Sequence, residues 1–218
     1  MPRYRAVVFD VDGVLTGIDS VWRYVHEHLG VWPQARMNKK LFESGSISYE
    51  EWARRDVALW RGRRVEEVER ILRAVEIRPG AAELVAMLKK CGVKVFALSA
   101  GIDLLVEEIA ERLGLDDYEA NRVVVEEGVL TGEVKVTVGF EDKGRVFREL
   151  VSKHGVGPGE AVAVGDSIVD LPMFREAGFA VAYNPSSGDL LGEADSVVVS
   201  ERLHLLARLL AAVIPCED

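Results

Sequence analysis

Phe9-Asp10-Val11-Asp12-Gly13-Val14-Leu15-Thr16 decides the fold, because it sets two carboxylates at the end of an apolar run. Ala6-Val7-Val8-Phe9, β-branched and aromatic, reads as a short buried strand. Such a strand leaves Asp10 and Asp12 at its carboxyl edge, where open α/β sheets place their ligands. Two carboxylates this close repel unless a cation sits between them or one carries a proton. The pair therefore suits a metal-dependent nucleophile beside an acid/base. The same residues also suit an Asp-Gly turn capped by Asp10, since Asp and Gly punctuate turns generally.

Three later segments bear on that choice. Val93–Leu98 is a second apolar strand ending in Ser99-Ala100-Gly101, before a helical pattern from Ile102. A hydroxyl and free backbone N–H groups at a strand-to-helix junction make an anion-binding concavity, although Ser is also an ordinary helix cap. Asp142-Lys143-Gly144 opens a helix with apolar positions Val146, Phe147, Leu150 and Val151. Asp142 suits the N-cap, whereas Lys143 in the first turn opposes the helix dipole. A bound phosphate or a neighbouring carboxylate would explain it; otherwise it is a solvated surface lysine. Ala161–Val164 is a third buried strand, followed by Gly165-Asp166-Ser167-Ile168-Val169-Asp170. Asp166 with Asp10 makes an oxygen-rich site of the kind a hard divalent cation prefers.

Organisation follows in two blocks. Residues 19 to about 78 show helical patterns and no convincing strand. Val21, Tyr24, Val25 and His28 mark one face, closed by Gly30. Ser48-x-x-Glu51 is a capping box for a helix carrying Trp52, Val57 and Trp60. Val65, Val68, Ile71, Leu72 and Val75 form a third stripe, stopped by Arg78-Pro79-Gly80. After Pro79, helices and strands alternate as a doubly wound α/β sheet requires. Val123–Val125 and Val134–Val138, joined through Glu127-Gly128, read as a hairpin.

In this order, D-x-D-G, then Ser, then Lys, then G-D-x-x-x-D, the chain resembles the haloacid dehalogenase superfamily of phosphohydrolases, most of all the phosphoserine phosphatase group. Ala120-Asn121-Arg122 and Leu130-Thr131-Gly132 also resemble that group's hairpin. The resemblance implies a Rossmann-like, doubly wound parallel sheet (residues 1–16 and 79–218) with a small inserted helical cap (17–78). It implies a Mg²⁺-dependent phosphatase acting on a small phosphomonoester through an aspartyl-phosphate. Asp10 would be the nucleophile and Asp12 the acid/base. The Asp10 and Asp166 carboxylates with the Asp12 carbonyl would hold Mg²⁺, and Asp170 would orient that shell. Lys143, Ser99 and N–H groups near Ala100 would receive the phosphoryl charge.

The cap should choose the substrate. In the phosphoserine phosphatase group a cap acid and a cap arginine bind the amino acid moiety. Asp19 matches the acid by position, while Asp56 stands at the arginine's place with Arg54 and Arg55 beside it. Val169 replaces a usual Asn. These departures point away from L-phosphoserine, toward another small polar phosphomonoester. A phosphomutase or phosphotransferase shares the attack step. Hydrolytic dehalogenases lack the second Asp, because halide needs no proton to leave. A phospho-accepting receiver module has no inserted cap.

Composition agrees with an enzyme of this type. The 218 residues, 49% hydrophobic and 29% charged, suffice for a full core and a second small unit. A net charge of -9 argues against nucleic acid as a partner. No apolar segment has the length of a membrane span, the amino terminus shows no long apolar h-region, and Cys91 and Cys216 read as free thiols, so a cytoplasmic location is expected. His26 and His28 read as cap surface, and the four tryptophans mostly as packing. Monomer and homodimer both stay open.

Overall fold

The computed structural model describes residues 4–216. Strand β1 (Ala6–Phe9) is buried on both faces and forms the centre of a seven-stranded sheet. It is flanked by β2 (Lys94–Ile102), and beyond that by β3 (Asp117–Glu126) and β4 (Val129–Lys135). On its other side lie β5 (Ala161–Gly165), β6 (Phe179–Tyr183) and β7 (Ser196–Val198). All neighbours are parallel except β3 and β4, a hairpin whose second strand is Val129–Lys135 where the sequence pattern places it at Val134–Val138. Its turn uses Glu127 and Gly128, both at positive φ (47° and 76°), which a two-residue hairpin turn of this hand requires.

Alternation along the strands divides the core. Val7, Phe9, Val95, Val162, Val164 and Val181 face one side. There they meet helices α5 (Ala81–Lys90), α6 (Asp103–Leu113) and α10 (His204–Val213) through residues such as Leu84, Leu105 and Leu206. Ala6, Val8, Phe96, Leu98, Ala163 and Ala182 face the other side. They meet α7 (Lys143–Lys153), α8 (Leu171–Glu176) and the short α9 (Gly188–Leu191) through Phe147, Phe174 and Leu190. The result is the expected three-layer α/β sandwich.

Four helices are inserted between β1 and α5: α1 (Val21–His28), α2 (Trp32–Glu43), α3 (Tyr49–Ala58) and α4 (Val65–Arg73). At the neck Thr16 and Ile77 form a bridge, and the Arg78 N–H donates to the Leu15 carbonyl at 2.8 Å. The link between α3 and α4 pairs with the hairpin, with Gly62 N–H on Leu130 O and Leu130 N–H on Arg63 O. Trp22, Val57, Trp60 and Leu72 continue the hydrophobic cluster of the sheet. Helix α2 escaped the periodicity reading because it buries only Ala35 fully, so its apolar stripe is thin.

Three expectations need correction. Strand β2 runs on through Ser99, Ala100 and Gly101, and α6 starts at Asp103, so these residues are extended backbone and not a helix start. Asp142 makes no side-chain cap; its carboxylate accepts from the Gly139 N–H and pairs with Arg145. Cys91 and Cys216 are not free thiols but a disulfide, with Cα atoms 5.0 Å apart. The bond ties the chain after α10 to the end of α5, a contact of 125 residues' separation that local sequence cannot reveal.

Candidate active site

Register brings the motifs together. Phe9 pairs with Val164 on one side and Ala97 on the other. Asp10 follows Phe9 directly, and Asp166 and Ser99 lie two residues beyond Val164 and Ala97, so the three gather toward one carboxyl edge of the sheet. The chain then turns sharply through Val11–Leu15, with Gly13 at φ 76°. Any side chain at Gly13 would run into the Asp166 carboxylate, so the glycine lets the first loop approach the third strand. The Arg78 guanidinium clamps this loop, donating to the carbonyls of Gly13, Val14 and Thr16 at 2.9–3.1 Å. Local sequence marks Arg78 only as part of a helix stop, because its carbonyl partners are 62 to 65 residues away.

Lys143 is fully buried between two carboxylates, 3.0 Å from Asp10 and 2.6 Å from Asp170. The neighbouring carboxylates explain a cation in the first turn of α7. Burial alone would lower its pKa, but the charges of Asp10 and Asp170 outweigh it and raise it, so the ammonium stays charged. Asp170 spends its other oxygen on the backbone N–H groups of Asp166 (2.9 Å) and Ser167 (3.0 Å). It is thus placed to position both Lys143 and the Asp166 loop.

Burial and like charge shift three carboxylates near that one ammonium upward. Burial, then Asp170, pushes Asp10 well above the ordinary value of 3.8. Asp166 rises to about 7 for the same two reasons, and Asp12 rises to about 6 through burial. Oxygens of Asp10, Asp166 and Asp170 lie within 4.8 Å of one another, a cluster that could hold a metal ion. Both Asp170 oxygens are engaged, which leaves Asp10 and Asp166 as the available ligands of the three. The Asp12 side chain accepts the Val21 N–H at 2.7 Å through Oδ2, while its Oδ1 is buried with no partner among the described residues. Uncompensated carboxylates and an orphaned oxygen fit a hard cation bound beside them.

Ser99 is buried, and its Oγ accepts the Gly101 N–H at 2.9 Å, leaving the hydroxyl proton free to donate. The Ala100 carbonyl collects the Trp22 indole (3.1 Å), the Tyr49 hydroxyl (2.5 Å) and the Asn121 amide (3.0 Å). That single oxygen joins α1 and α3 to the sheet at the edge of the site. A cavity of about 280 Å³ opens here, lined by Asp10, Asp12, Ser99, Lys143 and Asp166 at one end and by Asp19, Trp22, Tyr49, Trp52 and Phe140 at the other. Val169 also lines it. Tyr49 and Phe140 carried no sequence signal.

The expected substrate arginines are not in this cavity. Arg54 and Arg55 lie on the outer face of α3, paired one turn back with Glu50 and Glu51 at 2.6 Å each. Asp56, on the inner face, accepts from Asn38 Nδ2 at 2.8 Å and lies 3.1 Å from His26 Nε2. His26 in turn accepts the Trp60 indole N–H through Nδ1 at 3.0 Å, which fixes Nε2 as the donor to Asp56. His26 is fully buried and not cap surface, because its position on α1 faces α3. From α3, Asp56 thus bonds side chains of both α1 and α2.

A family model of haloacid dehalogenase-like hydrolases matches residues 4–178. A phosphoserine phosphatase of Methanocaldococcus jannaschii is 31% identical over 91% of this chain and 93% of its own. The chain belongs to the haloacid dehalogenase-like hydrolases. A second phosphoserine phosphatase, from Archaeoglobus fulgidus, is 33% identical over 94% of this chain, which spans 60% of that relative's length. Among solved structures, one described as a phospho-aspartyl intermediate analogue of phosphoserine phosphatase aligns with TM-score 0.81 and 29% identity, covering 94% of this chain and 98% of the other. As a haloacid dehalogenase-like hydrolase with such relatives, the chain is a phosphatase, a phosphoric monoester hydrolase. Among the described residues no helix is long and apolar enough to cross a membrane.

Proposed function

We propose that this chain is a Mg²⁺-dependent phosphatase of small phosphomonoesters, with Asp10 as the nucleophile and Asp12 as the acid/base. The observation that carries it is the buried Lys143 held between Asp10 and Asp170, with Asp166 alongside, at the carboxyl edge of the central strand. The ion pair aims the Asp10 oxygen into the cavity and keeps an ammonium where a transferring phosphoryl group would sit. Asp10 attacks phosphorus, forming an aspartyl-phosphate as the P–O bond to the alcohol breaks. Asp12, with a pKa near 6, has the proton affinity to protonate the departing alkoxide and then to take a proton from water. The Ser99 hydroxyl and Lys143 bind the phosphoryl oxygens.

Asp10, Asp166 and the Asp12 carbonyl would hold Mg²⁺, which when bound supplies positive charge against the phosphate oxygens. The inserted helices α1–α4 act as a cap that excludes bulky partners and bulk water. Residues 1–16 and 79–218 would then be the catalytic core. The test is release of inorganic phosphate across a panel of small phosphomonoesters with and without Mg²⁺, with borohydride trapping of Asp10 during turnover. Turnover with no trapped label at Asp10 refutes the assignment of the nucleophile.

A further inference from the structure

At the leaving-group end of the cavity, charge and shape run against a ligand that carries a carboxylate. Trp22, Tyr49, Trp52 and Phe140 wall it, and Asp19 stands at its exposed mouth. The rings brace one another: Trp22 stacks on Trp60 (5.9 Å), Trp52 on Phe42 (4.9 Å), and Tyr49 lies 5.0 Å from Phe140. Among the described residues, Lys143 is the one cationic side chain lining the cavity, and Asp10 and Asp170 already hold it. An adjoining cavity of about 240 Å³ shares Asp19, Trp22 and Trp52 and adds Arg23, Lys39 and Asp56. Its two cations are matched, Arg23 to Glu27 at 2.7 Å and Lys39 to Glu43 at 3.3 Å.

We infer that the substrate is a phosphorylated amino alcohol without a carboxylate, its ammonium seated against the aromatic walls and facing Asp19. A cation within about 6 Å of an aromatic ring is attracted by the ring quadrupole, most strongly by tryptophan. Asp19 adds an opposite charge. A carboxylate at the same place would face Asp19 and would find no cationic side chain lining the cavity other than Lys143, which Asp10 and Asp170 already hold. The inference rests on the phosphatase reading above and narrows its substrate class.

The test compares kcat/KM, with Mg²⁺ present, for phosphocholine, phosphoethanolamine, phosphoserine, p-nitrophenyl phosphate and 3,3-dimethylbutyl phosphate, the neutral isostere of phosphocholine. The cationic esters should exceed the neutral isostere by about tenfold, the discrimination expected of a desolvated cation–ring contact, and should exceed phosphoserine too, because its carboxylate would face Asp19. Asp19→Asn and Trp52→Leu should each shrink the advantage of phosphocholine over its isostere. Phosphoserine equal to or better than the cationic esters overturns the inference, and so does an isostere that matches phosphocholine. In either case, phosphate release from p-nitrophenyl phosphate leaves the phosphatase reading standing. Release from none of the five overturns that reading as well.

Discussion

Replacing Lys143 by methionine keeps most of the side-chain volume but leaves Asp10 and Asp170 buried without their shared cation. Both partners are almost fully enclosed, at 9% and 0% side-chain exposure, so solvent screens the loss poorly. Breaking a buried pair by removing one partner costs about 3–5 kcal/mol. For a domain of this size each kcal/mol is worth about 2–4 °C, so the melting temperature should fall by about 6–20 °C. The loss should depend on pH. Wild-type Asp10 already titrates above its unfolded value of 3.8, through burial and the Asp170 charge acting against Lys143. Without the ammonium the folded pKa rises further while the unfolded value stays. The folded variant then holds a proton that the unfolded chain releases, so its stability is retained at low pH and lost as pH rises. Calorimetry in chelator should show a small deficit at pH 5 and the full deficit at pH 8. Adding Asp170→Asn should restore part of it, because one unpaired charge disappears while the Asp166 and Ser167 N–H groups keep an acceptor. A deficit below about 2 °C at pH 8, or the same deficit at both pH values, refutes the claim that this ion pair organises the site.

Asp10→Asn should abolish turnover, by far more than the roughly 10²–10⁴-fold typical of one acid/base group, while circular dichroism shows the fold intact; substantial activity free of wild-type contamination would remove Asp10 from the nucleophile's role. Chelation should silence the enzyme, and Ca²⁺ should restore it poorly, since a larger ion with more ligands displaces the Asp10 oxygen; full activity in excess chelator contradicts this. Unreduced, denatured protein should give no thiol reaction at Cys91 or Cys216, and reduction should destabilise the fold by roughly 2–4 kcal/mol, as removal of a bond closing a long loop does; two reactive thiols in the unreduced chain would show that the disulfide does not form.

Much of the carboxylate and lysine cluster was legible in the chain because it is written in short, local patterns. Ala6–Phe9 is apolar at every position, as only a strand covered on both faces can be, and the polar residue that ends it must lie at the sheet's edge. The same reasoning placed Asp166, while Ser99 sits within β2; parallel pairing of β1 with β2 and β5 brings the three side chains toward one end of the sheet. Lys143 could be flagged from its conflict with the helix dipole. The aromatic end of the cavity was poorly legible. Arg54, Arg55 and Asp56 are consecutive, and one helical step decides which faces inward; packing of His26 and Trp60 turns Asp56 in and leaves the arginines to Glu50 and Glu51.

By itself the sequence determined the α/β class, three of the four inserted helices, and the acidic residues and lysine that meet at the sheet's carboxyl edge, since burial periodicity and chain direction are properties of neighbouring residues. Only the tertiary structure decided that Arg78 clamps the first loop, that the Ala100 carbonyl gathers Trp22, Tyr49 and Asn121, and that Cys91 reaches Cys216. Those contacts join residues 21 to 125 positions apart, and their formation depends on how whole layers stack. Local sequence carries the preference of each segment for a strand or a helix; it does not carry the angle and register at which the segments meet, and the aromatic, acidic pocket is made where they meet.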